Sequence, residues 1–198
     1  MQTATAVPSP SSKVELRAQA IARRRVYVRA LSPDLRGSLE AQLAQRVLPH
    51  LSTAAVIAGY CPMKDEIDLQ PILAALASMG RVTALPWFAD RDALMMFRRA
   101  PAEAPGPWGV LQPPATADAV RPDVVLVPLV AADASCNRIG HGKGHYDRAL
   151  ANLREAGLVR TIGLAWDVQI LGDLVTPDPW DIPLDAVATP DRLIACRA

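Results

Sequence analysis

The sequence of 198 residues has few cysteines, few aromatic residues and no long apolar run. Its three cysteines lie at positions 61, 136 and 196, form no Cys-x-x-Cys pair and are odd in number. This pattern argues against a disulfide scaffold or a zinc ribbon, and it predicts that the protein works in a reducing cytoplasm. The longest apolar stretch, 124–132, is too short to span a bilayer, and residues 1–12 lack the apolar segment of a signal peptide. We therefore expect no membrane partner and a disordered tail over residues 1–12.

An excess of charge of either sign is also missing. The formal net charge is +1, so the protein has no global field that attracts nucleic acid or an anionic membrane. Aromatic residues make up 5% of the chain, which weighs against a stacking platform for nucleic acid. The length fits a single domain over residues 13–198, which we expect to act on a small molecule as a monomer.

The most informative segment that is present reads Arg138-Ile-Gly-His-Gly-Lys-Gly-His-Tyr-Asp147. Alternating glycines let the backbone approach a ligand closely and turn its N–H groups into a concave anion nest. Arg138 and Lys143 add positive charge, which suits a polyphosphate, and Asp147 suits a cation carried by that phosphate. The alternative is a flexible surface loop with a few charges.

This segment is not one of the common phosphate loops. A Walker A loop needs glycine where Asn137 stands and a serine or threonine where Gly144 stands. The dinucleotide fingerprint fails because Gly144 comes one residue early. His141 and His145 have the spacing of a zinc-binding helix, but the intervening glycines disfavour helix.

The order of predicted elements indicates an α/β fold with a mostly parallel central sheet flanked by helices, a three-layer sandwich that is Rossmann-like without a Walker motif. Ser-x-x-Glu at 12–15 is a capping box, and Ser-Pro at 32–33 starts a second helix. Helices are predicted at about 13–30, 33–48, 71–80 and 146–156, and strands at 54–60, 82–85, 94–97, 123–127, 161–165, 186–189 and 193–196. Residues 100–123 are proline-rich and predict a long surface excursion. The glycine loop follows the central strand, where such sheets bind ligands.

Further candidates lie elsewhere in the chain. Lys13 and Arg17 share one face of the first helix, either as a solvated basic stripe or as a second clamp on phosphate oxygens. Glu66 follows the first strand and suits the edge of an amide-like or guanidine-like heterocycle. Asp181 and Asp185 lie in a late loop and serve either turn chemistry or, for Asp185, a magnesium site shared with Asp147.

Taken together, these motifs resemble the 5-formyltetrahydrofolate cyclo-ligase family, from Lys13 to about Thr189. The landmarks, in order, are Lys13-x-x-x-Arg17, Glu66-Ile-Asp68, Trp108-Gly-Val110 with Gln112-Pro113, Val127-Pro128 with Asp133, the glycine loop, and Asp185-Ala-Val-Ala-Thr189. The glycine loop is highly specific, and the other landmarks are individually weak.

The resemblance implies ATP and Mg²⁺ as cofactors and 5-formyltetrahydrofolate, with or without polyglutamylation, as substrate. It implies that ATP phosphorylates the formyl oxygen, that N10 then attacks, and that phosphate leaves as 5,10-methenyltetrahydrofolate forms. Lys143 and Arg138 would be catalytic, and Asp147 and Asp185 would hold the metal. The ATP site would comprise Lys13, Arg17, Arg138, Ile139, Gly140, His141, Gly142, Lys143, Gly144, His145 and Tyr146, and the substrate site Met63, Glu66, His141, Gly142, Lys143, Gly144 and His145.

Three positions depart from the family's pattern. His145 stands where tyrosine is usual, Ala132 replaces phenylalanine, and Cys136 replaces glycine. None of these removes a phosphate or metal ligand, so they bear on the fit of the substrate. Two alternatives remain open, an ATP-using enzyme acting on a different thiamine- or pterin-related substrate, and a non-catalytic nucleotide- or RNA-binding protein.

Overall fold

The computed structural model describes residues 12–172 and 174–196, so the tail predicted to be disordered lies outside the described residues except for Ser12. The α-helices in this part of the chain are α1 Lys13–Ala30, α2 Pro33–Val47, α3 Gln70–Ser78 and α4 His145–Glu155. None of the described helices has the length and apolar character needed to cross a bilayer.

The starts of the first two helices follow from local side-chain chemistry. The Ser12 hydroxyl accepts a hydrogen bond from the Glu15 N–H, and the Glu15 carboxylate accepts one from the Ser12 N–H, which confirms the capping box. The Ser32 hydroxyl accepts from the Leu35 N–H at the start of α2. These caps satisfy N–H groups that the first turn of a helix leaves unpaired.

A seven-stranded sheet forms the centre of the fold. Its strands are β1 Val56–Ala58, β2 Val82–Trp87, β3 Met96–Arg99, β6 Val124–Pro128, β9 Arg160–Leu164, β10 Ala186–Ala188 and β11 Leu193–Ala195. They lie in the order β11-β10-β9-β6-β1-β2-β3, with the five inner strands parallel and the two edge strands antiparallel. The prediction of a mostly parallel sheet is confirmed.

The topology of this sheet contains one reversal of strand order. From β1 the chain moves to β2 on one side and then returns to β6 on the other side, so the strand order reverses between β1 and β6. Open α/β sheets bind ligands in the crevice beyond the carboxyl ends of the strands at such a reversal. The loop containing Glu66 follows β1, and the segment leading to the glycine loop follows β6.

The core has two sides, which makes the fold three layers deep. Val124 and Leu126 of β6 pack into the same cluster as apolar residues of α1, α2 and α3. Val125 and Val127 face the other way and pack into a second cluster with Leu150 of α4. Residues of one strand alternate between the two faces of a sheet, so an almost entirely apolar strand is buried on both sides.

Two small hairpins lie outside the central sheet. In the predicted excursion, β4 Ala104–Pro105 pairs with β5 Leu111–Gln112. β7 Ala131–Ala132 pairs with β8 Arg138–Ile139, so a hairpin that was not predicted separates the central strand from the glycine loop. Both pairs are only two residues long, too short for an alternating pattern to be recognised.

The turn of the β7–β8 hairpin contains a disulfide-bonded cysteine, so the expectation of unpaired cysteines is wrong. Cys136 in this turn forms a disulfide bond with Cys196, which follows β11, and their Cα atoms lie 6.0 Å apart. The two residues are 60 positions apart in sequence and meet only because the antiparallel edge strand β11 ends beside this hairpin. Cys61 is a free thiol.

Candidate active site

A cavity of about 560 Å³ lies at the carboxyl ends of β1 and β6. Its walls come from the loop after β1, from the glycine loop and from the β4–β5 excursion. The side chains that the sequence singled out as phosphate or folate ligands line this one cavity: Lys13, Arg17, Met63, Glu66, and all residues from Arg138 to Asp147. Asp185 is not among the lining residues.

The glycine loop has the backbone shape that its composition predicts. Gly142 and Gly144 adopt positive φ angles of 87° and 64°, a conformation that other L-residues rarely adopt. A Cβ atom at Gly144 would lie 3.1 Å from Nη1 of Arg148, so the position is also crowded. The loop leads directly into α4, whose N-terminal N–H groups favour an anion.

Two arginines hold the loop in place. Nε of Arg17 on α1 donates to the Gly140 carbonyl at 2.7 Å, so Arg17 contacts the backbone of the loop. Nη2 of Arg138 donates to Oδ1 of Asp147 at 2.6 Å, and the Arg138 side chain is only 6% exposed. These contacts fix the first and last parts of the loop relative to α1 and α4.

Asp147 lies in the first turn of α4, but its carboxylate does not cap that helix. The N-cap of α4 is Gly144, and no side chain caps that helix. Oδ1 of Asp147 instead accepts from Arg138 and from the Ile182 N–H at 3.1 Å. The carboxylate therefore joins the glycine loop to the 174–184 segment while facing the cavity.

Lys13 also faces the cavity, where it meets two carboxylates. Its Nζ lies 2.7 Å from Oδ2 of Asp178 and forms a second ion pair with Asp181. Burial lowers the pKa of Lys13, but the hydrogen bonds to the two aspartates outweigh that effect, so the pKa is raised above its ordinary value. Lys13 is therefore fully charged. Asp178 and Asp181 both line the cavity, although the sequence suggested only turn chemistry for Asp181 and gave no role to Asp178.

Asp185 lies at the opposite end of the sheet from the cavity. It comes immediately before β10, and its Oδ2 accepts from the Thr161 N–H at 2.7 Å and from the Thr161 hydroxyl at 2.8 Å. Nη2 of Arg154 lies 3.5 Å from its Oδ1. The structure thus places Asp185 among the amino ends of β9 and β10, apart from Asp147.

Glu66 lies at the base of the cavity, where its side chain is 5% exposed. Oε2 accepts from the Met63 N–H at 2.9 Å, and Oε1 lies 3.7 Å from Nη1 of Arg24 and 3.3 Å from Nε2 of His141. Burial, and then the Glu66 charge, raise the pKa of the neighbouring Tyr146 hydroxyl, which therefore stays protonated.

Three rings form the rim of the cavity. Phe88, Trp108 and His145 contact one another with centroid separations of 5.0 to 5.1 Å. Burial, followed by the charges of Arg148 and Lys143, lowers the pKa of His145, so this ring is neutral near pH 7. Phe88 was not predicted as a site residue, because it lies after β2 in sequence without any motif around it.

The described residues contain no cluster of three or more histidine, cysteine, aspartate or glutamate side chains suited to a metal ion. Mg²⁺ commonly uses only one or two protein carboxylates and completes its shell with phosphate oxygens and water. Asp147, Asp178 and Asp181 all line the cavity beside the glycine loop, so their oxygens fit a magnesium ion that arrives with a nucleotide.

Comparison with known proteins supports the resemblance on which these assignments rest. The family model described as the 5-formyltetrahydrofolate cyclo-ligase family matches residues 9–190. The 5-formyltetrahydrofolate cyclo-ligase of Escherichia coli is 31% identical over 175 residues, covering 83% of this chain and 95% of that protein. The corresponding protein of Mycolicibacterium smegmatis is 29% identical over 202 residues, covering 96% of this chain and 100% of its own.

Two solved structures share the fold. The 5,10-methenyltetrahydrofolate synthetase of Aquifex aeolicus superposes with a TM-score of 0.75 at 27% identity, covering 94% of this chain and 93% of its own. The 5,10-methenyltetrahydrofolate synthetase of Mycoplasma pneumoniae gives a TM-score of 0.71 at 26% identity, covering 91% of this chain and 99% of its own.

Proposed function

Because the chain belongs to the 5-formyltetrahydrofolate cyclo-ligase family, we propose that it converts 5-formyltetrahydrofolate into 5,10-methenyltetrahydrofolate, using ATP and Mg²⁺ and releasing ADP and phosphate. The observation that carries this proposal is a single cavity with two chemically different walls. One wall is the positively charged glycine loop, and the other contains Glu66 and apolar side chains. We also propose that residues 13–198 act as one catalytic domain and as a monomer.

The triphosphate lies along the glycine loop in this proposal. Backbone N–H groups of residues 140–146, together with Lys143, Arg138 and Arg17, neutralise its oxygens. Lys13, which stays paired with Asp178 and Asp181, adds a further positive charge beside the loop. Lys143 is exposed and lies between the two glycines of positive φ, so its ammonium group is available to the transferred phosphoryl group.

Asp147 and Asp181 are the carboxylates that we assign to the magnesium ion. Asp185, which the family resemblance suggested, lies among the amino ends of the strands and does not line the cavity. When bound, Mg²⁺ supplies positive charge to the phosphate oxygens during transfer. Arg138 holds Asp147 in place, and Lys13 does the same for Asp181.

The folate occupies the other wall. The apolar and aromatic lining between Met63, Phe88 and Trp108 suits the flat rings of a pterin. A carboxylate has roughly four acceptor positions. Since only the Met63 N–H and Nε2 of His141 form hydrogen bonds with Glu66, acceptor positions remain for N–H groups of the substrate.

The chemistry needs positioning and charge neutralisation more than a protein nucleophile. The formyl oxygen attacks the γ-phosphorus of ATP, and ADP leaves with the electrons of the broken P–O bond. The N10 nitrogen then attacks the activated formyl carbon, and phosphate leaves as the ring closes. Lys143 and Arg138 stabilise the charge that develops during phosphoryl transfer, and the cavity walls hold the two substrates in contact.

The decisive experiment follows the near-ultraviolet absorbance of 5,10-methenyltetrahydrofolate. The purified protein is incubated with 5-formyltetrahydrofolate in four reactions, with and without ATP and with and without Mg²⁺. We expect product only when both are present, with one ADP formed for each product. Hydrolysis of ATP without product would instead indicate a related substrate. Absence of both activities would overturn the proposal and favour a nucleotide- or RNA-binding role.

A further inference from the structure

Phosphoryl transfer leaves one requirement of the proposed reaction unmet, because the attacking amine of the folate must lose a proton as the ring closes. We propose that His141 is the general base that takes this proton and that the buried Glu66 is the residue that positions and polarises it. The inference rests on the proposed function. Phosphate binding does not need the contact between His141 of the glycine loop and Glu66 of the loop after β1, so this contact is free to serve another purpose.

The contact itself assigns the roles of the two ring nitrogens. Nε2 of His141 lies 3.3 Å from Oε1 of Glu66. An ionised carboxylate only accepts hydrogen bonds, so Nε2 carries the hydrogen and Nδ1 of the neutral ring keeps its lone pair. Glu66 also pairs with Arg24 and accepts a hydrogen bond from the Met63 N–H. No described residue forms a hydrogen bond with Nδ1 of His141.

Glu66 and His141 differ in burial, and this difference suits them to different roles. Glu66 is 5% exposed and is fixed on the loop after β1, while His141 is 39% exposed and lies on the glycine loop. A buried carboxylate stabilises an imidazolium that forms beside it, and it holds the ring in one tautomer and orientation. His141 thus presents a basic nitrogen to the cavity, between the wall assigned to phosphate and the wall assigned to folate.

Other cavity groups are poorly suited to accept the proton. Burial raises the pKa of the Cys61 thiol, and burial together with the Glu66 charge raises the pKa of the Tyr60 and Tyr146 hydroxyls. These three groups therefore hold their own protons near pH 7. Their pKa values make each of them a poor base in the resting enzyme.

The remaining candidates are already paired. Arg138 pairs with the Asp147 carboxylate, and Lys13 pairs with those of Asp178 and Asp181. Nδ1 of His145 accepts a hydrogen bond from Nη2 of Arg148 at 3.1 Å, since a guanidinium can only donate. The charged groups that surround His141 are Glu66 with Arg24 behind it, and Arg17 and Lys143 along the loop.

The proposed step balances as follows. The N10 lone pair forms the new N–C bond at the activated formyl carbon, and the N10 proton passes to Nδ1 of His141. The C–O bond to phosphate then breaks, and phosphate leaves with its electron pair. The imidazolium, stabilised by Glu66, returns its proton to water. No oxidant or further reactant takes part.

The test compares His141→Gln and His141→Gly with the wild type, with enzyme in excess and ATP and Mg²⁺ saturating. Glutamine keeps a donor toward Glu66 but has no basic nitrogen. We expect ring closure to slow about 100- to 10,000-fold, as loss of a general base does, while ADP still forms in a burst. The acidic limb of the pH profile should disappear. Added imidazoles should restore the His141→Gly rate, and more basic imidazoles should restore it more.

Glu66→Gln tests the positioning role separately. Removing the carboxylate should move the acidic limb of the pH profile to lower pH, because the imidazolium loses its stabilising charge. An unchanged limb would show that Glu66 does not act through His141.

The outcomes keep this inference apart from the proposed function. If the wild type forms no methenyl product, the proposed function fails. If the wild type is active and His141→Gln closes the ring at a normal rate with an unchanged pH profile, only the base assignment is overturned. Equal losses of ADP and product, without rescue by imidazole, would also overturn it and place His141 in ATP binding. Thermal unfolding of each variant shows whether it is folded.

Discussion

The assignment of the metal to Asp147 and Asp181 rather than Asp185 gives the sharpest prediction. Asp147→Asn, Asp181→Asn and Asp185→Asn each remove one negative charge and keep the size of the side chain. We expect the first two to raise the Mg²⁺ concentration that gives half-maximal rate. We expect Asp185→Asn to leave it unchanged, because Asp185 bonds with Thr161 among the amino ends of the strands.

The size of the effect follows from the environment of the carboxylate. The Asp147 side chain is 16% exposed, so its charge acts in a medium between water and a protein interior. A unit charge about 4 Å from a cation contributes on the order of 4 kcal/mol at an effective dielectric constant of about 20. Hydration lost on binding offsets part of this. We therefore expect about a 10- to 100-fold higher Mg²⁺ requirement, which corresponds to roughly 1.4 to 2.8 kcal/mol.

Stability alone does not distinguish these variants. Asp147→Asn leaves the buried Arg138 guanidinium with a neutral acceptor in place of a carboxylate. Asp185→Asn likewise replaces the carboxylate that accepts from the Thr161 N–H by an amide, whose oxygen is a weaker acceptor and whose NH₂ group is a donor. Each change costs about 1–3 kcal/mol, the usual cost of disrupting a buried hydrogen-bonded charge. For a chain of this size that lowers Tm by about 2–12 °C.

The measurement is therefore the rate of methenyl absorbance against Mg²⁺ concentration, with ATP saturating and the temperature well below every Tm. The reasoning is refuted if Asp185→Asn raises the Mg²⁺ requirement as much as Asp147→Asn does. It is also refuted if Asp147→Asn and Asp181→Asn are folded and show the wild-type Mg²⁺ dependence.

Three further predictions concern single side chains. Lys143→Ala should lower kcat by about 100- to 1000-fold, because the transition state loses electrostatic stabilisation. Lys64 does not line the cavity, so the control variant Lys64→Ala should keep the wild-type kcat. A near-normal kcat for Lys143→Ala would contradict the assignment. Glu66→Gln should raise KM for 5-formyltetrahydrofolate while KM for ATP stays within about threefold, and equal increases in both would show that Glu66 is not specific for the folate. NMR titration of His145 should give a pKa below 6.5, since burial and two nearby cations lower it. Because the folded-state pKa of His145 lies below its unfolded value, His145 contributes its full stability above the unfolded pKa. That contribution is lost as the pH falls from there through the folded-state pKa, and a midpoint at or above 6.5 would contradict this.

Much of the framework could be predicted from local patterns. The capping box at Ser12, the serine before Pro33 and the apolar run of β6 are signals contained within a few residues, and each led to an element with nearly the predicted bounds. Gly142 and Gly144 of the glycine loop specify backbone shape in the same local way, since glycine adopts positive φ more readily than other residues. Short elements such as the β7–β8 hairpin give no such signal.

The sequence by itself therefore determined the α/β class, the glycine loop and many of the residues that line the cavity, because periodicity, capping and glycine conformation are local properties. Only the tertiary structure decided that Asp185 lies away from the cavity, that Lys13 meets Asp181, and that Cys136 meets Cys196. Those outcomes depend on which strand ends lie side by side and in which direction each strand runs. Residue spacing along the chain does not encode that arrangement, because it arises from burying both faces of the sheet at once.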